Sequence, residues 1–589
     1  MRKFIVGSLA VIGALSILAV IVVVAILLLS GLSTPSVPGK TIVEINLERG
    51  LIEDVPDDAI AKAMTSDLTI VRDIVDGLER AGNDSRVAGV IARVGNAPMG
   101  MAQVQEIRDA VIAFRGKNKW AIAFAETFGE FGPGNNSYYL ATAFDEIRLQ
   151  PSGDLGLTGL MLEGQFIRGT LDKLGVQPRM DHRYEYKNAM NMYTEKQFTA
   201  PHREAMEKLL NSWFSQMVRG IAHARKMTEE EVKAIIDRGP LLGKEALDAK
   251  LVDSLAYRDE VYAEVKEKAG AGAQLLFLDK YLERAGRPNQ SGKTIAVVYG
   301  VGAVGRGRSG FDPIFGDVSM GSDTVGAAFR AAIEDSSVKA IIFRVDSPGG
   351  SAVASDVIWR ETIRAKQAGK PVIVSMGDVA GSGGYWVAMS ADKIVAQPGT
   401  ITGSIGVLGG KMLTNGLWDK VGLSWDEVHA GANATMWSST DDYTPAEWSR
   451  FQAFLDRIYS DFTTKVAEGR KLPKERVLEI AKGRIWSGED AKNLGLVDEL
   501  GGFPVAVKLA REAAGMSESE AIRIQVYPAK KSTFDVLLGE TPDNSERVEV
   551  ADSLVKALRV IQPVARMARE SVAAEERGIV EMPRIRSKR

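Results

Sequence analysis

The sequence predicts an α/β fold: a duplicated domain with helical extensions, preceded by one transmembrane helix. Three observations lead to this prediction: an apolar amino-terminal run, an internal repeat of about 250 residues, and strand-like runs that alternate with helical ones. A chain of 589 residues has room for two or more domains, at about 150 residues per domain. Its 45% hydrophobic and 25% charged residues are typical of a globular protein.

The first element is an uncharged, mostly apolar run at residues 4–32. Crossing a bilayer takes about 20 apolar residues, whereas the apolar core of a cleavable signal peptide has about 7–15. No A-x-A-like cleavage site stands at the end of the run, so an uncleaved anchor is favoured over a cleaved signal. Arg2 and Lys3 place residues 1–3 in the cytoplasm. We therefore expect a single-pass protein of the inner membrane with its bulk on the extracytoplasmic side.

The second element is the repeat. Gly-Lys-Thr-Ile at 39–42 recurs at 292–295, and residues 138–145 match residues 385–392. The offset between the copies drifts slowly in one direction, which small loop deletions would produce. The sequence thus predicts three parts after the anchor: an amino-terminal repeat over 40–285, a carboxy-terminal repeat over 293–528, and a tail of unknown structure over 529–589.

Within each copy, short apolar runs alternate with amphipathic stretches. Ile341–Val345 and Pro371–Met376 are typical of buried strands, and Asp323–Glu334 and Ala352–Ala368 are typical of helices. Strands that alternate with helices indicate parallel pairing and an α/β fold. The second half of each copy is more helical.

Composition excludes several kinds of site. The chain has no cysteine, so thiolate catalysis, thiolate metal sites and disulfides are excluded. Its four histidines form no ligand cluster, and we expect no metal and no cofactor. A net charge of −3 gives no support for nucleic-acid binding. Gly286–Thr294 ends in Gly-Lys-Thr but precedes a strand instead of following one, so it is not a phosphate loop.

Two glycine-rich segments follow the apolar runs of the second copy. Asp346–Gly350 ends in Pro-Gly-Gly, whose exposed amides can form an oxyanion hole or simply make a turn. Gly381–Tyr385 places Ser382 between small residues, where it is either a nucleophile on a tight strand-to-helix turn or a helix cap. In the first case the Gly383 amide could be a second oxyanion donor.

A nucleophilic serine needs a base, and a lysine is one alternative to histidine. Lysine can be a base only if burial lowers its pKa by about 3 units, which requires apolar or small neighbours. Lys187, in Tyr184–Met190, has such neighbours, although a solvated surface lysine is the common alternative. Ser404, in Thr402–Val407, is a turn residue or a hydrogen-bond partner in the site.

Together these segments resemble the long, duplicated form of signal peptide peptidase A, of peptidase family S49, over about residues 1–530. The resemblance implies a fold of the ClpP and crotonase superfamily, Ser382 as nucleophile and Lys187 as base. It also implies oxyanion amides at Gly350 and Gly383, and Ser404 as a hydrogen-bond partner of the lysine amine. The family's long form further implies a homotetramer.

The repeat itself supports a site shared between the copies. Asn135 and Leu157 correspond to Ser382 and Ser404, so the first copy lacks both serines. Lys187 corresponds to about Gly431–Ala434, where the second copy has no lysine. Each copy would then contribute one half of a Ser–Lys pair.

The sequence therefore predicts a membrane-anchored serine endopeptidase that degrades cleaved signal peptides and other apolar peptides. Two alternatives are a non-catalytic membrane scaffold and a crotonase-like enzyme that processes acyl-CoA. A crotonase needs neither a serine nucleophile nor an anchor, and a scaffold would cleave no peptide.

Overall fold

The computed structural model describes residues 35–55, 59–95, 97–314, 316–528, 580–581 and 586–587. The proposed anchor at 4–32 and most of the tail, 529–589, lie outside the described residues. Within the described ranges, no helix has both the length and the apolar character needed to cross a bilayer.

Among the residues that the structure describes, the first repeat contains twelve strands, which alternate with helices along most of the chain. They are β1 Thr41–Leu47, β2 Leu51–Ile52, β3 Thr69–Ile70, β4 Val87–Val94, β5 Trp120–Ala125, β6 Glu146–Leu149, β7 Asp154–Leu155, β8 Leu162–Glu163, β9 Gln177–His182, β10 Leu241–Leu242, β11 Ser254–Leu255 and β12 Gln274–Phe277. Six of them form a parallel sheet in the order β11-β6-β5-β4-β1-β12.

In the described part of this repeat, eleven α-helices and one 3₁₀-helix, Asn188–Met190, accompany these strands. The α-helices are α1 Ala59–Met64, α2 Val71–Gly82, α3 Met101–Arg115, α4 Asn135–Ala141, α5 Arg168–Leu174, α6 Asn191–Thr194, α7 Ala200–Arg225, α8 Glu229–Ile236, α9 Gly243–Asp248, α10 Arg258–Ala269 and α11 Leu278–Ala285. Because β1, β4 and β5 are buried on both faces, they consist of nearly continuous apolar runs.

The second repeat has a matching set of strands. They are β13 Lys293–Val301, β14 Ala303–Gly305, β15 Gly310–Asp312, β16 Asp317–Gly321, β17 Val338–Ser347, β18 Gly349–Gly350, β19 Val372–Gly381, β20 Lys393–Ala396, β21 Ile401–Gly403, β22 Leu408–Leu413, β23 Ile485–Ser487, β24 Glu499–Leu500 and β25 Ile522–Tyr527. The main sheet has the order β23-β21-β19-β17-β13-β25, with β20 and β24 joined beside β19. It is parallel except where β23 joins β21.

The helices of the second repeat follow the same plan. They are α12 Ser322–Glu334, α13 Ala352–Gln367, α14 Gly383–Trp386, α15 Asn415–Val421, α16 Pro445–Arg470, α17 Lys474–Ile480, α18 Gly488–Asn493 and α19 Phe503–Ala513. In the tail, β26 Val580–Glu581 and β27 Arg586–Ser587 are described.

One ladder joins the two repeats. Strand β9 of the first repeat pairs antiparallel with β22 of the second, from His182 opposite Leu408 to Gln177 opposite Leu413. The chain leaves β9 directly toward Lys187, so this ladder carries the lysine into the second repeat.

The α/β prediction is confirmed, including the strands and helices that were read from apolar periodicity in the second copy. Strand β17 begins three residues before the predicted run 341–345 and ends two residues after it, and β19 continues five residues beyond the end of the predicted run 371–376. Those extensions include Asp346 and Asp378, polar residues that apolar patterning does not assign to a strand.

Candidate active site

Ser382 lies at the junction of β19 and α14, with φ 56° and ψ −117°. A non-glycine residue in this region strains the backbone by about 1–3 kcal/mol, so the surroundings must hold it in place. Its N–H donates to the Gly403 carbonyl at 2.8 Å, and its carbonyl accepts from the Tyr385 and Trp386 amides at 3.0 and 2.9 Å. The strand, the short helix and β21 thereby fix the serine, as the sequence predicted for a tight strand-to-helix turn.

Lys187 reaches the second repeat through backbone contacts. Beyond the β9–β22 ladder, the Arg183 N–H donates to the Val407 carbonyl at 3.0 Å, and the Tyr186 N–H donates to the Lys482 carbonyl at 3.2 Å. Gly483 has φ +79°, and a Cβ there would lie 2.6 Å from Lys187 Cα. A glycine is required because the lysine segment passes directly over it.

The structure brings Lys187, Ser382 and Ser404 together. The lysine Nζ lies 2.6 Å from Ser382 Oγ and 3.0 Å from both Ser404 Oγ and the Ser404 carbonyl oxygen. All three residues are fully buried. Two hydroxyl oxygens and one backbone carbonyl oxygen thus lie within hydrogen-bond reach of the lysine amine, which is removed from water.

Ser404 is positioned by the turn after β21. It has φ 51°, and its N–H donates to the Arg484 carbonyl at 2.7 Å. Since Gly403 accepts the Ser382 N–H, the same turn holds both the nucleophile candidate and the side chain that contacts the lysine.

The two candidate oxyanion glycines also lie next to each other. A Cβ on Gly383 would come within 3.0 Å of the Gly350 nitrogen, so the two backbones approach closely. Gly349 and Gly350 have φ +102° and +153°, and a Cβ on Gly350 would collide with the Val304 backbone. This geometry requires glycine at positions 350 and 383, because a side chain at either would collide with the neighbouring segment.

The Gly349–Gly350 strand is also a site of strand pairing. It pairs antiparallel with β26, with Gly349 opposite Glu581 and Gly350 opposite Val580. The extended segment β26 thus lies along one edge of β18, and β14 lies along the other.

Sequence reasoning missed the polar cluster beneath the site. Arg344 on β17 is buried and contacts Glu53 and Glu106 of the first repeat, and Asp346 and Asp378 lie beside it. The arginine interrupts the apolar run 341–345, and that interruption was the only local signal of the cluster. In the part of the chain that the structure describes, no group of side chains is arranged to hold a metal ion.

Comparisons with known proteins agree with the repeat. The sequence model described as "Peptidase family S49" matches residues 119–272 and 364–517, one match in each copy. Protease 4 of Salmonella typhi is 32% identical over 84% of this chain and 77% of its own length. The chloroplastic serine protease SPPA of Arabidopsis thaliana is 30% identical over 82% of this chain and 71% of its own length.

Among solved structures, a mutant of ClpP1 from Listeria monocytogenes matches 36% of this chain and 94% of its own, at 13% identity and a TM-score of 0.22. The fold assignment therefore depends on the sheets themselves and on the family match. With two family matches that cover more than half of the sequence, one in each repeat, the chain belongs to peptidase family S49 and is a serine peptidase.

Proposed function

We propose that this protein is a Ser–Lys endopeptidase in which Ser382 is the nucleophile and Lys187 the general base. The observation that carries the proposal is the 2.6 Å distance between Lys187 Nζ and Ser382 Oγ in a fully buried site. A base within hydrogen-bond reach of the nucleophile meets the geometric requirement for activating it.

The reaction would proceed through an acyl-enzyme. Neutral Lys187 takes the Ser382 hydroxyl proton as Oγ attacks the peptide carbonyl, and the tetrahedral oxyanion forms beside the Gly350 and Gly383 amides. When the intermediate collapses, the C–N bond breaks and the protonated Lys187 gives its proton to the leaving amine. Lys187 then takes a proton from a water molecule as the water attacks the Ser382 ester, and it gives that proton to Ser382 Oγ when the C–O bond of the ester breaks. Ser404 holds the amine in line throughout.

Substrates would be apolar peptides in extended conformation, such as cleaved signal peptides. Support comes from β18, which already pairs antiparallel with a segment of the same chain, the hydrogen-bonding mode by which extended peptides add to a strand edge. Several large apolar side chains of the second repeat are exposed, including Leu423, Trp425 and Trp437.

The test is hydrolysis of a panel of signal-peptide-like substrates by the wild type, Ser382→Ala and Lys187→Ala. We expect both variants to lose activity by at least about 10⁴-fold, since residues that act as a unit cannot replace each other. A fluorophosphonate should label Ser382 in the wild type only.

Lys370→Ala is the matched control. Lys370 is also a buried lysine whose Nζ donates to backbone carbonyls, but it lies before β19, at the opposite end of the strand from Ser382. It should keep its hydrolytic activity. Near-normal hydrolysis by Lys187→Ala would refute the assignment of the base, and no hydrolysis by the wild type would favour a scaffold.

We also propose that residues 4–32 anchor the protein in the inner membrane with both repeats outside the cytoplasm, as a homotetramer. The support is the length of the apolar run and the family resemblance. The full chain should sediment with membranes, and added protease should digest the repeats in spheroplasts without lysis. Release of the intact chain by high salt would contradict the anchor.

A further inference from the structure

Where the two repeats meet beneath the site, four carboxyl groups surround one guanidinium. Arg344 Nε donates to Glu53 Oε2 at 2.9 Å, and its Nη2 donates to Glu106 Oε2 at 2.7 Å. Arg344 and both glutamates are buried, and Asp346 and Asp378 beside them are largely buried. One cation is thus shared among acidic groups from both repeats.

Two of these carboxylates cap helices of the opposite repeat. Asp378 Oδ1 accepts the Ala102 and Gln103 amides at 2.9 and 3.0 Å, at the start of α3 in the first repeat. Glu106 of that helix accepts the Phe503 amide at 2.7 Å, at the start of α19 in the second repeat. Helix amino termini favour carboxylates, so each repeat stabilises a helix of the other.

A glycine stands at the entrance of each capped helix. A Cβ on Gly100 would lie 1.6 Å from Asp378 Oδ2, and a Cβ on Gly502 would lie 2.6 Å from Glu106 Cγ. Neither glycine has a positive φ, so space for the carboxylate, and not backbone conformation, is what requires a glycine there. Both positions are built to admit a carboxylate from the other repeat.

The two aspartates lie just upstream of the catalytic backbone. Asp346 is four residues before Gly350, and Asp378 is four residues before Ser382. Asp346 Oδ1 accepts the Val379 N–H at 2.9 Å, which joins the end of β17 to the end of β19. A shift of either carboxyl would therefore move the strand end that carries an oxyanion glycine or the nucleophile.

We propose that Asp346 and Asp378 are positioning residues for the Ser382–Lys187 pair, and that they keep the two repeats in register only while at least one of them is protonated. The proposal rests on the Ser–Lys function proposed above. The carboxyl groups around Arg344 would keep Lys187 of the first repeat and Ser382 of the second repeat at hydrogen-bonding distance.

Burial and the neighbouring charges of Asp346 and Asp378 explain why one of these two carboxyl groups would need to be protonated. Burial, then Glu53 and Asp378, raise the pKa of Asp346 to about 8. Burial also raises the pKa of Asp378 to about 7, with Glu53 adding to it and the Gln103 amide opposing it. Arg344 is the cation that faces both aspartates, and it is already held by Glu53 and Glu106.

Further charged side chains, both acidic and basic, lie around Arg344. Tyr299 on β13 lies close enough to interact with Arg72, Asp54, Arg344 and Glu53. Because both aspartates have pKa values above those of an unfolded chain, their contribution to stability is complete below about pH 4 and is lost as the pH rises through about 7–8. Above that range two adjacent carboxylates would repel each other beneath the site.

The experiment compares kcat, KM and urea unfolding midpoints from pH 5 to 9 for the wild type, Asp346→Asn and Gly100→Ala. The asparagine can still accept the Val379 N–H but cannot ionise, so the alkaline fall in kcat should move up by about one pH unit or more. The Gly100→Ala methyl displaces Asp378 and should lower kcat by about 10- to 100-fold, with KM within about threefold.

The controls are Asp145→Asn and Gly169→Ala. Asp145 also accepts a strand amide, from Ala121 at 2.8 Å, and an added Cβ at Gly169 meets nothing within 4 Å. Both variants should keep the wild-type pH profile and kcat. A wild-type alkaline limb in Asp346→Asn, or a wild-type kcat in Gly100→Ala, would overturn the inference.

The unfolding midpoints separate this inference from the proposed function. If the wild type neither cleaves peptides nor reacts with a fluorophosphonate, the proposed function fails, yet Asp346→Asn should still flatten the pH dependence of unfolding. An unfolding profile like that of the wild type would count against the carboxyl pair even if hydrolysis is normal.

Discussion

Tyr138 of the first repeat and Tyr385 of the second occupy matching positions, and each hydroxyl donates to a backbone carbonyl, of Leu251 at 2.8 Å and of Leu496 at 2.9 Å. Three residues before each tyrosine, the repeats differ. Asn135 accepts the Thr158 and Gly159 amides and donates back to the Gly159 carbonyl, whereas Ser382 faces Lys187. The same turn makes hydrogen bonds within the first repeat, whereas in the second repeat it presents Ser382 to Lys187.

Other pairs show how much of the scaffold both repeats keep. Asp253 and Asp498 each accept a strand amide at 2.7 Å, from Ile147 and Ile394. At the turn before each tyrosine, by contrast, the polar side chains differ between the repeats. If the proposed function is right, one copy keeps stabilising contacts at this turn while the other uses the same backbone to hold the nucleophile.

The largest expected contrast is between Asn135 and Ser382. Asn135→Ala should leave kcat within about threefold of the wild type but lower the free energy of unfolding by about 1–3 kcal/mol, because it removes the three hydrogen bonds that the Asn135 side chain makes with Thr158 and Gly159. Ser382→Ala should abolish hydrolysis but leave the free energy of unfolding close to that of the wild type. Peptide hydrolysis and urea unfolding of both variants measure the contrast.

A double variant that moves the serine from the second repeat to the first tests the same difference between Asn135 and Ser382. Asn135→Ser in a Ser382→Ala background restores a serine but no base, since the first copy has leucine at 157 and the second copy has no lysine at 431–434. We expect no hydrolysis by this double variant. Activity would show that the first repeat can form a site of its own.

The next contrast is between Ser404 and Leu157. Ser404→Ala removes a hydrogen bond to Lys187 Nζ and should lower kcat by about 10- to 100-fold, the equivalent of about 1.5–3 kcal/mol, with KM little changed. Leu157→Ala in the first core should cost about 2–5 kcal/mol of stability without a comparable loss of kcat. Steady-state kinetics with unfolding curves test both, and an unchanged kcat in Ser404→Ala would remove Ser404 from the site.

The sequence predicted the repeat, the buried strands and the segments that carry Ser382, Lys187 and Ser404, because these depend on local periodicity and on glycine-rich turns. It did not predict the β9–β22 ladder or the carboxyl cluster around Arg344. Those contacts join residues more than 200 positions apart, as Arg344 does with Glu106, and a buried aspartate has the same local sequence signature as an exposed one. Asp346 begins the segment Asp346–Gly350, in which only the glycines indicated a function from sequence.

The smallest contrast concerns the third residue of the two 26-residue helices, His202 in α7 and Glu447 in α16. Glu447 accepts the Thr444 N–H at 2.8 Å, and this hydrogen bond holds its pKa below the usual range. His202 instead packs against the Phe198 ring, and burial lowers its pKa to about 4. The first repeat has an uncharged aromatic residue where the second has an ion.

This difference should make the first repeat sensitive to acid. Between about pH 6.5 and pH 4 the unfolded chain binds a proton at His202 that the folded chain does not, so stability falls as the pH falls, by on the order of 3 kcal/mol in full. His202→Gln should lack this loss, while His223→Gln, an exposed position on the same helix, should keep it. Urea unfolding at pH 7 and pH 4.5 measures the difference, and the contributions of Asp346 and Asp378 cancel because they are the same in all three proteins. Equal losses in the wild type and His202→Gln would show that this histidine is not buried in its neutral form.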